Sequence, residues 1–173
     1  YDGSDHPWEF KRVWHIEPSL TNPDVALAGV EDAALFETTD GGTTWHELPG
    51  LRRHATGDHW QPGAGGMCLH TILLDPSDPK RIYIAISAAG AFRTDDGGQT
   101  WNELRGLREH GSGPKWQPGA GGMCLHTIVI DPTNPDRIYI AISAAGAFRT
   151  DNGGEYVNWD LESFFDNLGI VHH

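Results

Sequence analysis

The chain has 173 residues, with 24 acidic against 12 basic side chains and a formal charge of −12 at pH 7. That length allows one domain with a buried core, and that charge argues against a nucleic-acid backbone or an anionic membrane surface as partner. Gly at 22, Pro at 11 and Trp at 7 favour a turn-rich β protein, and no run of residues is long and apolar enough for a membrane-spanning helix.

Residues 1–9 form a leading segment into a first unit, 10–51. A start at Tyr1 rather than Met, with His172-His173 at the other end, reads as a trimmed or tagged piece. The second unit, 52–107, opens with a long loop, Arg52–Gly66. Four short strands follow. Met67–Leu74 ends in the turn Asp75–Pro79, Arg81–Ser87 in the small-residue turn Ala88-Ala89-Gly90, and Ala91–Thr94 in Asp95–Gly98. Thr100–Leu104 closes the unit. Strands of four to eight residues between Pro, Gly and Asp turns are the mark of an antiparallel meander. The third unit, 108–159, repeats this plan after the loop Arg108–Gly122. In the tail, 160–173, Leu161, Phe164, Phe165 and Leu168 have helical spacing between a capping Asp160 and Gly169, which predicts a helix covering the last unit.

The second and third units are near copies. Residues 60–99 and 116–155 are identical at 33 of 40 positions, at a constant offset of 56. The exchanges are mostly conservative, such as Leu73 for Val129 and Ser77 for Thr133. A fixed period of this length means stacked units that bury their faces against one another. Cys68 and Cys124 are copies of one position, so they predict two buried thiols rather than a disulfide framework. The fidelity of the duplication points to an engineered or chimeric chain.

The turns Thr38-Thr39-Asp40-Gly41-Gly42-Thr43-Thr44-Trp45 and Thr94-Asp95-Asp96-Gly97-Gly98-Gln99-Thr100-Trp101 match Ser/Thr-x-Asp-x-Gly-x-Thr-Trp. They resemble the Asp-box of the bacterial neuraminidase-repeat (BNR) β-propellers, relatives of sialidase and sortilin-type propellers. The segments Trp8–His15 and Trp60–His70 resemble sialidase-like or glycosyl-hydrolase-like bacterial members. The resemblance covers about residues 8–154 and implies an all-β propeller of three four-stranded antiparallel blades. Asp40, Trp45, Asp96 and Trp101 would then serve structural turns away from the ligand face. The third copy, from Thr150, has Asn152 in place of the Asp and lacks the Thr and Trp, which predicts an altered or frayed last blade. Propellers close with four to eight blades, so three blades predict half of a six-bladed ring, completed as a homodimer by a second copy.

Three chemistries are legible. The long loops and the leading segment place Trp8, Arg12, Arg53, His59, Trp60 and Trp116 toward one face, where indoles stack on sugars and guanidinium groups hold hydroxyls or carboxylates. Glu9, Glu31 and Asp32 are the acids available for glycoside hydrolysis on that face. The Phe/Tyr-Arg-Ile-Pro motif of sialidases is missing. Cys68-x-His70 and Cys124-x-His126 have the ligand types of a Cys₂His₂ divalent-metal site, although packing of those side chains explains them as well, and no other cofactor is implied. The leading expectation is a self-assembling propeller scaffold that binds a small polar ligand. The alternatives are a sialidase-like glycoside hydrolase acting on carbohydrate and a metal-binding channel.

Overall fold

The computed structural model describes residues 10, 12–57, 60, 67–87, 89–111, 124–143, 145–151 and 157–159. These form three four-stranded antiparallel sheets, each built in chain order. The first contains β1 (Val13–Pro18), β2 (Ala26–Val30), β3 (Leu35–Thr38) and β4 (His46–Glu47). The second contains β5 (Leu69–Leu74), β6 (Ile82–Ile86), β7 (Gly90–Thr94) and β8 (Asn102–Glu103). The third contains β9 (Leu125–Asp131), β10 (Asn134–Ile142), β11 (Gly146–Asp151) and β12 (Val157–Trp159). The sheets converge along their first strands, β1 lying beside β5 and β5 beside β9. This is the radial arrangement of propeller blades. The predicted capping helix of the tail lies outside the described residues.

Two apolar layers hold the sheets together. Between the first and second sheets, Leu27 and Leu35 meet Leu69, Ile72, Ile82, Ile84, Ile86 and Phe92. Between the second and third, Tyr83, Ala85 and Ala91 meet Leu125, Ile128, Ile138, Ile140 and Phe148. All five residues of β6, Ile-Tyr-Ile-Ala-Ile, are therefore buried. Burial of each Ile contributes about 2 kcal/mol. The layers are tight enough to exclude a single methyl group: a Cβ on Gly29 would run into the carbonyl of Leu69 across the first interface.

Each blade seats the Phe of its third strand beneath aromatic groups from the segment before its first strand. Phe10 covers Phe36 at 5.4 Å, His54 and Trp60 cover Phe92 at 5.0 and 5.2 Å, and His110 covers Phe148 at 5.1 Å. A single-turn α-helix, α1 (Arg105–Arg108), follows β8, and its Leu107 enters the second apolar layer. One turn is too short to leave a periodic signal in a sequence.

The turns after β3 and β7 are closed by the same network. Asp40 accepts hydrogen bonds from the hydroxyls of Thr38 (2.8 Å) and Thr44 (2.6 Å) and from the Thr44 amide (2.8 Å). Asp96 accepts from Thr94 (2.6 Å), Thr100 (2.6 Å) and the amides of Gln99 and Thr100 (both 2.9 Å). The Thr94 hydroxyl also receives the buried Gly98 amide at 3.0 Å, and Gly98 takes a φ of 90°, in the left-handed region. Trp101 lies buried beside this turn, whereas Trp45 is half-buried and stacks on Phe10 at 4.7 Å.

The third blade has Asn152 in the Asp position, and among the described residues the buried hydroxyl of Thr150 has no hydrogen-bond partner. Its fourth strand nonetheless pairs with β11. The register is one residue out, because Phe92 faces Glu103 but Phe148 faces Asn158.

Two outcomes are expected. Thr94→Val should destabilise the protein by about 1–3 kcal/mol by orphaning a buried amide and one bond to Asp96. Thr150→Val, which removes a hydroxyl that bonds to none of the described residues, should cost less than Thr94→Val. Gly29→Ala should cost about 1–3 kcal/mol through overpacking, with Gly111→Ala, whose Cβ meets nothing, as a control. Urea denaturation measures all four.

Candidate functional site

Each first strand carries a bulge near its start. The pairings Val13↔Val30 and His15↔Gly29 leave Trp14 as the extra residue. Leu69↔Ile86 and Thr71↔Ala85 leave out His70, and Leu125↔Ile142 and Thr127↔Ala141 leave out His126. Bulges re-aim side chains at the rims of sheets and beside binding sites. Trp14 thus takes the place of the two histidines, and His15 takes that of Thr71. Trp14 is 55% exposed.

The turns between second and third strands lie at the same end of the blades. Pairing aligns Glu31 with Ser87 and Ser143. In the third blade the Ser143 hydroxyl pairs with His126 Nε2 and donates to the Cys124 carbonyl at 3.3 Å. In the first blade Arg12 Nη1 donates to Glu31 Oε1 at 2.7 Å, and the Glu31 amide donates to the Arg12 carbonyl at 3.3 Å. Asp32 and Ala33 both adopt left-handed backbone, with φ of 63° and 60°. That conformation costs non-glycine residues about 1 kcal/mol each. It is held by the Ala33 amide, which donates to the Met67 carbonyl of the next blade at 2.7 Å.

Electrostatic coupling joins these groups. The buried thiol of Cys68 is pushed up by desolvation first, then by Glu31, Cys124 and Asp32. His70 is pushed below 6.5 by burial first, and also by His126 and His15. Its Nδ1 lies 3.0 Å from the Thr71 hydroxyl, which itself donates to the His126 carbonyl at 3.2 Å. Thr71 therefore accepts a hydrogen bond from Nδ1–H, and His70 Nε2 is a buried acceptor with no partner among the described residues. His15 Nε2 donates to Glu17 at 3.1 Å.

The structure thus gathers Arg12, Trp14, Glu31, Asp32, Cys68, His70 and His126 at one end of the three first strands. Of the residues expected there, Glu9, Trp8, His59 and Trp116 lie outside the described residues. Arg53 is exposed on the turn after Leu51, where Arg52 is paired with Glu47. Trp60 departs from the expected ligand platform. It is only 7% exposed, inside the first apolar layer, and its indole N–H donates to Thr56 at 3.0 Å.

Cys68 and Cys124 are both thiols. Among the described residues, no three His, Cys, Asp or Glu side chains form a group that could hold a metal ion. The expected Cys₂His₂ convergence assumed strict strand alternation, and the bulges at His70 and His126 break that alternation. Trp14 was the residue missed. Only a one-residue shift in aligning the first blade with its copies would have placed it beside His70.

No protein-family model matches the sequence. The chain resembles solved structures of an ancestral GH74 enzyme (TM-score 0.58, 16% identity), the GH74 enzyme of Niastella koreensis (0.55, 18%) and YCF48 from Cyanidioschyzon merolae (0.52, 17%). The matches cover 86% of this chain and 18%, 21% and 36% of those chains. The fold is that of β-propeller blades. In sequence, 84 residues are 27% identical to an oligoxyloglucan-reducing end-specific xyloglucanase of Emericella nidulans, spanning 48% of this chain and 9% of that protein. The chain is thus a small fraction of the length of the proteins it matches.

The ionisable groups predict the pH response. His70 and His54 are both lowered from 6.5, chiefly by burial, so the unfolded chain takes up protons first as pH falls. Their contribution is complete above about pH 6.5 and declines below it. Asp40 is held at about 2 by Thr44 and Thr38, and Asp96 is held lower still by Thr100 and Thr94. Their contribution is complete above about pH 4 and lost as pH falls through their folded values. Thermal melts should therefore show two acid steps. His70→Gln should shrink the upper step, and Asp40→Asn with Asp96→Asn the lower.

Proposed function

We propose that the chain is part of a glycan-binding β-propeller of the glycoside-hydrolase type, with its ligand face at the mouth formed by Arg12, Trp14, Glu31, Asp32, His70 and His126. The observation that carries this reading is the Glu31–Asp32 turn. It sets two carboxylates where the sister blades have Ser-Ala, with left-handed backbone at Asp32 and Ala33 tied to the next blade. Strain of this kind collects at functional sites.

Beside the turn, the exposed indole of Trp14 offers a stacking surface for the apolar face of a sugar ring. Arg12 orients Glu31 through a charge-assisted bond, toward the position where positive charge develops at an anomeric carbon. Asp32 is the group placed to move a proton to or from the glycosidic oxygen, as the two-carboxylate scheme requires. Likeness to GH74 enzymes and to a xyloglucanase supports a neutral glucan as ligand. The Thr-Asp-Thr networks at Asp40 and Asp96 support membership of the BNR/Asp-box propellers, with these turns in a structural role.

Titration calorimetry with xyloglucan oligosaccharides and with sialyllactose tests the reading. Binding of the neutral glucan is expected, weakened about tenfold by Trp14→Ala, the loss of one stacking contact. Asp32→Asn should retain binding and lose any release of reducing sugar. An unchanged affinity in Trp14→Ala, or no binding of either glycan, would overturn the site.

A further inference from the structure

The same pentapeptide is buried in one blade and half open in the next. Ile-Tyr-Ile-Ala-Ile occurs at Ile82–Ile86 and again at Ile138–Ile142. In β6 every residue is buried, whereas in β10 Ile138, Ile140 and Ile142 are buried and Tyr139 and Ala141 are partly open. The open positions are the copies of Tyr83 and Ala85, which the second blade uses to hold the third. Ala147 and Val129 continue this face as the copies of Ala91 and Leu73, and Val129 is 49% exposed. The last described blade therefore presents a ready-made copy of an interface that is already filled one blade earlier.

Strand register identifies what would fill it. The third blade docks through Leu125, Ile128, Ile138, Ile140 and Phe148. The equivalent positions of the first blade are Val13, Ile16, Ala26, Ala28 and Phe36, all apolar. Val13 and Ile16 are 40% and 54% exposed, although soluble proteins seldom leave such a sheet face uncovered. Phe10 already covers Phe36 at the outer end, so the open part lies toward the first strand.

We infer that the open face of the third blade, Val129, Tyr139, Ala141 and Ala147, docks the first blade of a second copy of this chain through Val13 and Ile16. The contact is head-to-tail, continuing the internal stack. Two copies form two such contacts and complete a ring of six blades. This inference is independent of the glycan reading, because it concerns the blade faces and not the channel mouth.

Light scattering on the whole chain across a dilution series, with circular dichroism to check folding, tests it. Wild type should have about twice the 19.0 kDa chain mass. Val129→Glu and Ile16→Glu, both at exposed positions and so compatible with folding, should each be folded monomers. An equimolar mixture of the two should again form dimers, since one intact face from each chain can still meet, with weaker association than wild type. A folded wild-type monomer at every concentration, variants that keep the wild-type mass, or a mixture that stays monomeric would overturn the inference. Unlimited growth with concentration would overturn the closed pair.

Discussion

Everything in this structure depends on sheets that are apolar on both faces. A strand such as Ile82–Ile86 has no solvent side, so it is stable only between two other sheets. The hydrophobic effect is non-directional, but a twisted four-stranded sheet can be covered on both faces only by stacking more of the same. Repetition and stacking are consequences of one composition. Gly29, pressed against the Leu69 carbonyl, shows how closely the layers approach where they meet.

The outer turns solve a different problem. Where the chain leaves the apolar layer after the third strand, it reverses sharply and would strand buried amides. A Thr hydroxyl and an Asp carboxylate take up those amides and hydroxyls within a few residues. The carboxylate is held ionised because every partner donates to it. The third blade, with Asn in the Asp position, keeps its fourth strand but pairs it one residue out of the register of the second blade. A fourth strand therefore forms without the full Thr-Asp-Thr motif.

At the opposite end, along the first strands, the repeat is used to differ rather than to match. The same bulge presents an indole in the first blade and imidazoles in the next two. The same turn presents two carboxylates once and Ser-Ala twice. A stacked scaffold can vary these positions without disturbing its core, because they lie beyond the layers that hold the blades together. The strained backbone at Asp32 and Ala33 is tolerated because the neighbouring blade fixes it through Met67.

By itself the sequence determined the repeat, the strands and the outer turns, because these depend on local chemistry: β-branched runs, Pro/Gly/Asp reversals and a motif closed within eight residues. It also placed Glu31 and Asp32 in the odd turn, since that comparison needs only the repeat offset. Tertiary structure decided the rest. Trp60 reads as an exposed platform until the structure shows it buried in the first apolar layer against Phe92, and Cys68 with His70 reads as a ligand pair until the bulge at His70 breaks the strand alternation. Trp14 entered the site through a one-residue shift in pairing that no local signal carries. Burial and bulge register belong to the contact between sheets, so only the packed blades could settle them.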